Sequence, residues 1–462
     1  MRLNERSRLP ASVQIPEYGP AAQACGIVHF GIGAFHRAHQ AVYTDDAMNA
    51  GDRDWRITGV SLRLDNVAMQ MNPQDGLYNV VTRDGDRTTI RLIGSESRVL
   101  VARRDGDTVV EAVAHPDTKI ISFTVTEKGY CRADDGSLAS EKADGDSIYA
   151  YLAAGLKKRM DEGQSGVTLL SCDNLADNGS QLEHLLGGYL ADRDPILLRW
   201  ISENCAFPSS MVDRIVPATT EADRHEVERL TGSRDEACVF TEPFSQWVIE
   251  DNFAGPRPRW EMGGAEFVSD VAPYETAKLR MLNGAHSALA YLGLLHGHIF
   301  VHEAVADRHI RPVVERIMRD EAAPSVSAAP GQNLQGYADD LLVRFGNHAL
   351  QHRLIQIAMD GSQKIPQRWL ETLSFHQAAR RICPAILEAL AAWIIHIRGD
   401  RDIVDDPMAE KFAALWRNVG HEGIVTSLFG RSGIFAAYWV ADERSISMIA
   451  NCLDADILER EI

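Results

Sequence analysis

Two rhythms of apolar residues run along this chain. Up to about residue 271 they come as short, nearly continuous runs: Gly26-Ile27-Val28-His29-Phe30, Trp55 to Leu62, Lys119 to Val125 and Gly166 to Ser171. Short apolar runs bounded by turn residues read as buried strands, and the helical spacing near 147–160 alternates with them. Residues 77–81 and 88–93 alternate polar with apolar around an Asp84-Gly85 turn, which predicts an antiparallel excursion off a parallel sheet. Beyond 271 the period changes to that of helices, with runs at 286–304, 310–319, 336–345, 350–359, 366–382 and 384–397. The pattern predicts an α/β doubly wound sheet over residues 1–271, followed by a mainly α-helical domain over 272–462. Pro324 to Gly336 and Asp360 to Arg368 read as connections, the second as a charged loop between helices.

Composition narrows the function. A chain of 462 residues with 45% hydrophobic and 24% charged positions is ordinary for a globular protein of two or three domains. The formal net charge of −18 disfavours nucleic acid or an anionic membrane as partner, and an anionic substrate would need a local basic pocket. Seven scattered cysteines without a C-x-x-C fit reduced thiols in a cytoplasmic protein. The N-terminus has no apolar signal region, and the greasiest later run, Ile386 to Ile397, is too short to span a bilayer.

The first strand runs directly into Gly31-Ile32-Gly33-Ala34-Phe35-His36-Arg37, a dinucleotide fingerprint whose third glycine is replaced by His36. The first glycine allows the tight turn, and the second lets backbone approach a pyrophosphate at a helix N-terminus. At the end of the second strand, Asp65 could accept from ribose hydroxyls, favouring NAD, or Arg63 could pair with a 2′-phosphate, favouring NADP. Strand ends of a doubly wound sheet face the ligand, so Thr126-Glu127-Lys128-Gly129-Tyr130 is a candidate cofactor wall. Cys172-Asp173-Asn174 reaches the same edge, and the Asn174 amide can donate to a developing oxyanion or simply form a turn. Asp213 beside Arg214 reads plainly as a surface ion pair.

Pro273 to Gly293 carries the densest chemistry. At about 100° per residue, Glu275, Lys278, Asn283 and His286 fall within an arc of about 140° on one helix. A carboxylate, an amine, an amide and an imidazole on one face suit catalysis, and Gly284 and Ala285 beside them leave that face uncrowded. The His36/His39 and His348/His352 pairs have helical ligand spacing, but no Cys or Glu stands at metal-site intervals from them.

G-I-G-A-F-H-R-A-H-Q, T-E-K-G-Y, S-C-D-N, M-V-D-R-I-V-P and P-Y-E-T-A-K-L-R-M-L-N-G-A-H-S, in order, resemble the polyol-specific long-chain dehydrogenase/reductases. The resemblance runs from about residue 26 to about residue 410 and implies a Rossmann-type domain followed by a largely helical one, with zinc-independent chemistry. It implies Lys278 as general base, Asn174 and Asn283 holding the substrate oxygen, His286 orienting the substrate and Glu275 relaying protons to solvent. It places Asp213 near the sugar hydroxyls. Gly31, Gly33, Ala34, Phe35, His36, Arg37, Arg63, Asp65, Glu127 and Lys128 would then hold NAD, or NADP.

Asp360 to Arg368, Arg344-Phe345-Gly346-Asn347 and Val60 to Arg63 look more like the mannonate oxidoreductase branch than the mannitol branch, although His348 stands where that branch has proline. A hexonate carboxylate could pair with Lys364, Arg353 or Arg344. The reading is NAD-linked interconversion of D-mannonate and D-fructuronate by a monomer or small homo-oligomer. A neutral polyol oxidised at C2 is the alternative, and a non-catalytic nucleotide-binding sensor the remote one.

Overall fold

The structure, a computed structural model, describes residues 1–133, 135–145 and 147–460, with side chains up to residue 455. It divides into two units, Met1–Ala272 and Pro273–Ile462.

The N-terminal unit is built on five parallel strands: β1 (Cys25–Phe30), β2 (Arg56–Ser61), β3 (Glu96–Val101), β4 (Ile120–Phe123) and β5 (Thr168–Ser171). Their spatial order is β3-β2-β1-β4-β5, with every pairing parallel. Both faces are covered, which is why these strands read as continuous apolar runs. Val28, Phe30, Val60, Ile121, Phe123 and Leu169 point into one layer, shared with helices Ala102–Ala114, Ile148–Asp161, Asn178–Leu190 and Pro195–Asn204. Ile27, Ile57, Ile120 and Leu170 point into the other, packed by Ala41 and Ala47 of helix Gln40–Asn49 and by Trp247 and Trp260. The strand order reverses between β1 and β4, so their carboxyl ends form the switch point where such sheets bind ligands.

The antiparallel excursion pairs Tyr78–Asp84 with Arg87–Ile93. Asp84 pairs with Arg87, so the two turn residues are Gly85 and Asp86, one position later than the sequence suggests, with Gly85 at φ 54°. This hairpin lies in a separate four-stranded sheet with Val13–Gln14 and Val239–Thr241. Ser210–Asp213, Gln246–Glu250 and Glu266–Val268 form a third sheet.

The C-terminal unit is helical around a core that includes Leu289, Trp369, Leu390 and Trp393. The apolar run at 286–304 is two helices, Gly284–Leu295 and Val301–Ala306, separated at Gly297 with φ 79°. The stretch Asp360 to Arg368 is not a loop. Asp360 starts it in the left-handed region at φ 55°, and helix Gly361–Ile365 then continues as a π-helical turn, Pro366–Leu370, into Glu371–Ala378. A proline lacks the N–H for the usual i−4 bond, and the wider π turn absorbs that loss. Helix Pro384–His396 is the buried helix expected there. No helix of the described residues is long and apolar enough to cross a membrane. All seven cysteines are free thiols.

Candidate active site

In the N-terminal unit the glycine turn sits at the switch point. Gly31 has φ 93°, its N–H donates to the Val60 carbonyl at 2.9 Å, and a Cβ there would stand 2.0 Å from the Thr124 carbonyl oxygen. No other residue fits. At Gly33 an added Cβ would meet nothing nearer than the Gly31 carbonyl oxygen at 3.7 Å, so this glycine keeps the outside of the turn open ahead of Ala34 and Phe35. That is the shape a pyrophosphate needs: one glycine forced by the turn, the next leaving room for approach.

The side chains of His36 and Arg37 turn inward. His36 is fully buried, stacks on His29 with ring centroids 3.4 Å apart, and places Nε2 2.6 Å from Glu96 Oε1. Burial holds His36 neutral, lowering its pKa to about 3, and raises Glu96 to about 8, so the carboxylic acid donates to a neutral imidazole. The Arg37 guanidinium donates to the Gly33 carbonyl at 3.2 Å and to the Ala237 carbonyl. Both residues therefore build the core beneath the turn, and what they offer above it is backbone. His39 is separate again: it stacks on Phe35, and its Nε2 lies 3.0 Å from the Gln246 carbonyl.

The loops after β4 and β5 are tied by a residue that sequence reasoning quoted but gave no role. The Asp173 carboxylate accepts from the Val125 N–H at 2.9 Å, the Thr126 N–H at 2.8 Å and the Tyr130 hydroxyl at 3.0 Å. Thr126 stands at φ 64°, and these bonds hold it there. The result fixes the short helix Thr126–Gly129, which presents Glu127 and Lys128 exposed, and sets Asn174 exposed beside it. Arg63 and Asp65 are exposed after β2. Asp213 is not on the surface: it is 6% exposed at a strand end, while Arg214 turns to the Ala38 and Glu242 carbonyls.

In the C-terminal unit, helix Ala272–Ala277 becomes a π-helix over Lys278–Asn283 and resumes as α over Gly284–Leu295. The change moves the chemistry. On a regular α-helix Lys278 and Asn283 would stand about 140° apart, whereas bonds running i to i+5 bring the fifth residue over the first. His286, three residues further, returns to the same line. Lys278, Asn283 and His286 are half-buried along it, with Glu275 half-buried one turn earlier.

The His286 ring lies 4.6 Å from Phe345 and edge-on to His352 at 5.4 Å, and its buried Nε2 has no hydrogen-bond partner. Burial first, then His352, Arg344 and Arg368, keep its pKa well below the usual histidine value. It is a neutral imidazole.

Gly284 and Ala285 do not open this face. Ala285 is fully buried, and a Cβ on Gly284 would meet the Arg368 carbonyl and the Trp369 indole nitrogen at 3.5 Å. The small residues admit the second π-helical turn, Pro366–Leu370. From it, Trp369 Nε1 donates to the Gly284 carbonyl at 3.1 Å, and Arg368 Nη1 donates to the Asn283 carbonyl at 3.3 Å and Ser287 Oγ at 2.8 Å. Arg368 does not stand out in the sequence, because only the packing of the two π turns brings it against Asn283 and Ser287.

Of the basic residues expected to meet a substrate, Arg344 is buried near His286. Lys364 Nζ donates to the Ile357 and Met359 carbonyls. Arg353 is exposed, its backbone bridged to Phe300. Among the described residues no group of three or more His, Cys, Asp or Glu could hold a metal ion.

Residues 25–262 match the mannitol dehydrogenase Rossmann domain and residues 270–455 the mannitol dehydrogenase C-terminal domain. D-mannonate oxidoreductase of Escherichia coli (strain K12) is 39% identical over 452 residues, covering 93% of this chain and 92% of that protein. Pseudomonas fluorescens mannitol 2-dehydrogenase, solved as a ternary complex with NAD and D-mannitol, is similar with a TM-score of 0.82 and 33% identity, covering 98% of this chain and 96% of that one. D-sorbitol dehydrogenase in substrate-free form is similar with a TM-score of 0.91 and 30% identity, over 100% and 99% of the two chains.

Proposed function

Because the chain belongs to the mannitol dehydrogenase family, and is thus an oxidoreductase acting on an alcohol group, we propose that it interconverts D-mannonate and D-fructuronate with NAD. The observation that carries the reading is the π-helical turn that lines up Lys278, Asn283 and His286. NAD, when bound at the Gly31 turn, supplies the hydride acceptor. Gly31, Gly33 and the backbone of Ala34 and Phe35 would hold its pyrophosphate, and Asp65 its adenosine ribose, with Arg63 favouring a 2′-phosphate instead.

Lys278 Nζ takes the hydroxyl proton as the carbon loses hydride. An ordinary lysine has a pKa near 10.4, so this role needs the free amine, which burial and nearby cations favour. In the reverse direction the ammonium returns the proton to the ketone oxygen. The Asn283 and Asn174 amides donate to that oxygen as charge builds on it. His286, neutral and with Nε2 unpaired, accepts or donates one hydrogen bond to a neighbouring hydroxyl and so sets which carbon faces Lys278. Glu275 passes protons between Lys278 and solvent, Asp213 meets the sugar hydroxyls, and no metal takes part.

Likeness to a mannitol 2-dehydrogenase supports the second reading, oxidation of a neutral polyol such as mannitol or arabinitol. Following NADH formation with D-mannonate, D-altronate, D-mannitol and D-arabinitol side by side tests both. The proposal expects D-mannonate to be turned over best. Rapid turnover of mannitol with none of mannonate overturns it.

A further inference from the structure

Arg368 lies half-buried on the π turn Pro366–Leu370, held by Nη1 against Asn283 and Ser287, which stand four residues apart on one side of the reacting helix. Among the described residues its remaining donors, Nε and Nη2, have no hydrogen-bond partner, and neither is sealed from solvent. Among the described residues no carboxylate pairs with it. Desolvation lowers its pKa to about 10, offset only by the Tyr291 hydroxyl. A buried cation without an acid partner is costly, and a fold keeps one where an anion will meet it. The free Nε–Nη2 edge is the planar pair of donors that matches the two oxygens of a carboxylate.

The other basic residues fit this task less well. Lys364 is occupied by two backbone carbonyls, and Arg353 is exposed. Arg344 approaches the same imidazole and adds positive potential there. We infer that Arg368 receives the substrate carboxylate through its Nε–Nη2 edge and thereby selects sugar acids over neutral polyols. This rests on the sugar-acid reading above. The same arginine buttresses the reacting helix through Asn283 and Ser287, so the carboxylate and the helix share one guanidinium.

The test compares D-mannonate with its neutral amide, D-mannonamide, as substrates of the wild-type enzyme and of Arg368→Gln. The ratio of kcat/KM for acid to amide is expected to fall about 30-fold or more in the variant, mainly through KM for the acid. A buttressing role alone would lower both substrates together and leave the ratio unchanged, which overturns the inference. A wild-type enzyme that ignores every sugar acid but oxidises hexitols instead overturns the function proposed above. Should the glutamine variant fail to fold, a crystal structure of the wild type with NADH and D-mannonate decides: a carboxylate oxygen hydrogen-bonded to Arg368 Nε or Nη2 supports the inference, and a carboxylate bound elsewhere refutes it.

Discussion

Replacing Glu96 by glutamine isolates the buried pair beneath the Gly31 turn. Both side chains of the pair have zero exposure, and His36 Nε2 lies 2.6 Å from Glu96 Oε1. Glutamine keeps the shape and can still donate to the imidazole, but it cannot ionise. In the wild type the folded acid, with a pKa of about 8 against an ordinary 4.5, holds a proton that the unfolded chain has lost. Its contribution is complete below pH 4.5 and is lost as pH rises through 8. His36 has the opposite sign, because its folded pKa of about 3 lies below the ordinary 6.5, so stability is lost as pH falls below 6.5. Between 4.5 and 6.5 the two slopes cancel. From pH 6.5 to about 8 only Glu96 acts, at about 1.4 kcal/mol per pH unit, which amounts to about 2 kcal/mol lost over the interval. Urea unfolding at pH 6.5, 7 and 8 measures it. Glu96→Gln should be about 2 kcal/mol less sensitive to this rise than the wild type. Identical pH slopes for the two proteins would mean that the folded pair holds no extra proton above pH 6.5, with Glu96 already ionised, and would refute the raised carboxyl pKa.

Other outcomes follow from single contacts. Gly31→Ala puts a Cβ 2.0 Å from a backbone oxygen at φ 93°, so NADH affinity by fluorescence titration should fall at least about tenfold; unchanged affinity would remove the turn from the cofactor site. Asp173→Ala removes the acceptor for two N–H groups and the Tyr130 hydroxyl and should cost about 2–4 kcal/mol in chemical denaturation, while a change within about 0.5 kcal/mol would mean the loops are held otherwise. Dialysis against a strong chelator should leave turnover unchanged, and loss that zinc restores would contradict metal-free catalysis.

The parallel sheet and the glycine turn were readable because buried strands carry continuous apolar runs and Gly31 begins where the first of them ends. The direction of His36 was less so. A clue stood in the strand itself: His29, alone among apolar residues in Gly26-Ile27-Val28-His29-Phe30, must find buried partners, and it finds Ser122, Thr124 and the His36 ring. The helix carrying Lys278, Asn283 and His286 stood out by residue type, but its phase did not. A π turn inserts one residue into a 3.6-residue period without any composition of its own, so a fixed 100° step spreads apart residues that the structure aligns. Asp360 to Arg368 misled for a local reason, since Gly361, Ser362 and Pro366 look like loop residues, yet the segment is helical, with Gly361 packed against Tyr291 and Trp393 and Trp369 against Gly284. Arg368 gained its meaning only from that packing.

Turnover and NADH binding by Lys278→Ala test whether this amine is the general base. With the preferred sugar acid kcat should fall about 10³-fold or more, within the range for loss of a general base, while NADH affinity stays within about threefold of the wild type. A variant that keeps full turnover would show that another group takes the proton, and the alignment of Lys278 with Asn283 and His286 would lose its catalytic meaning.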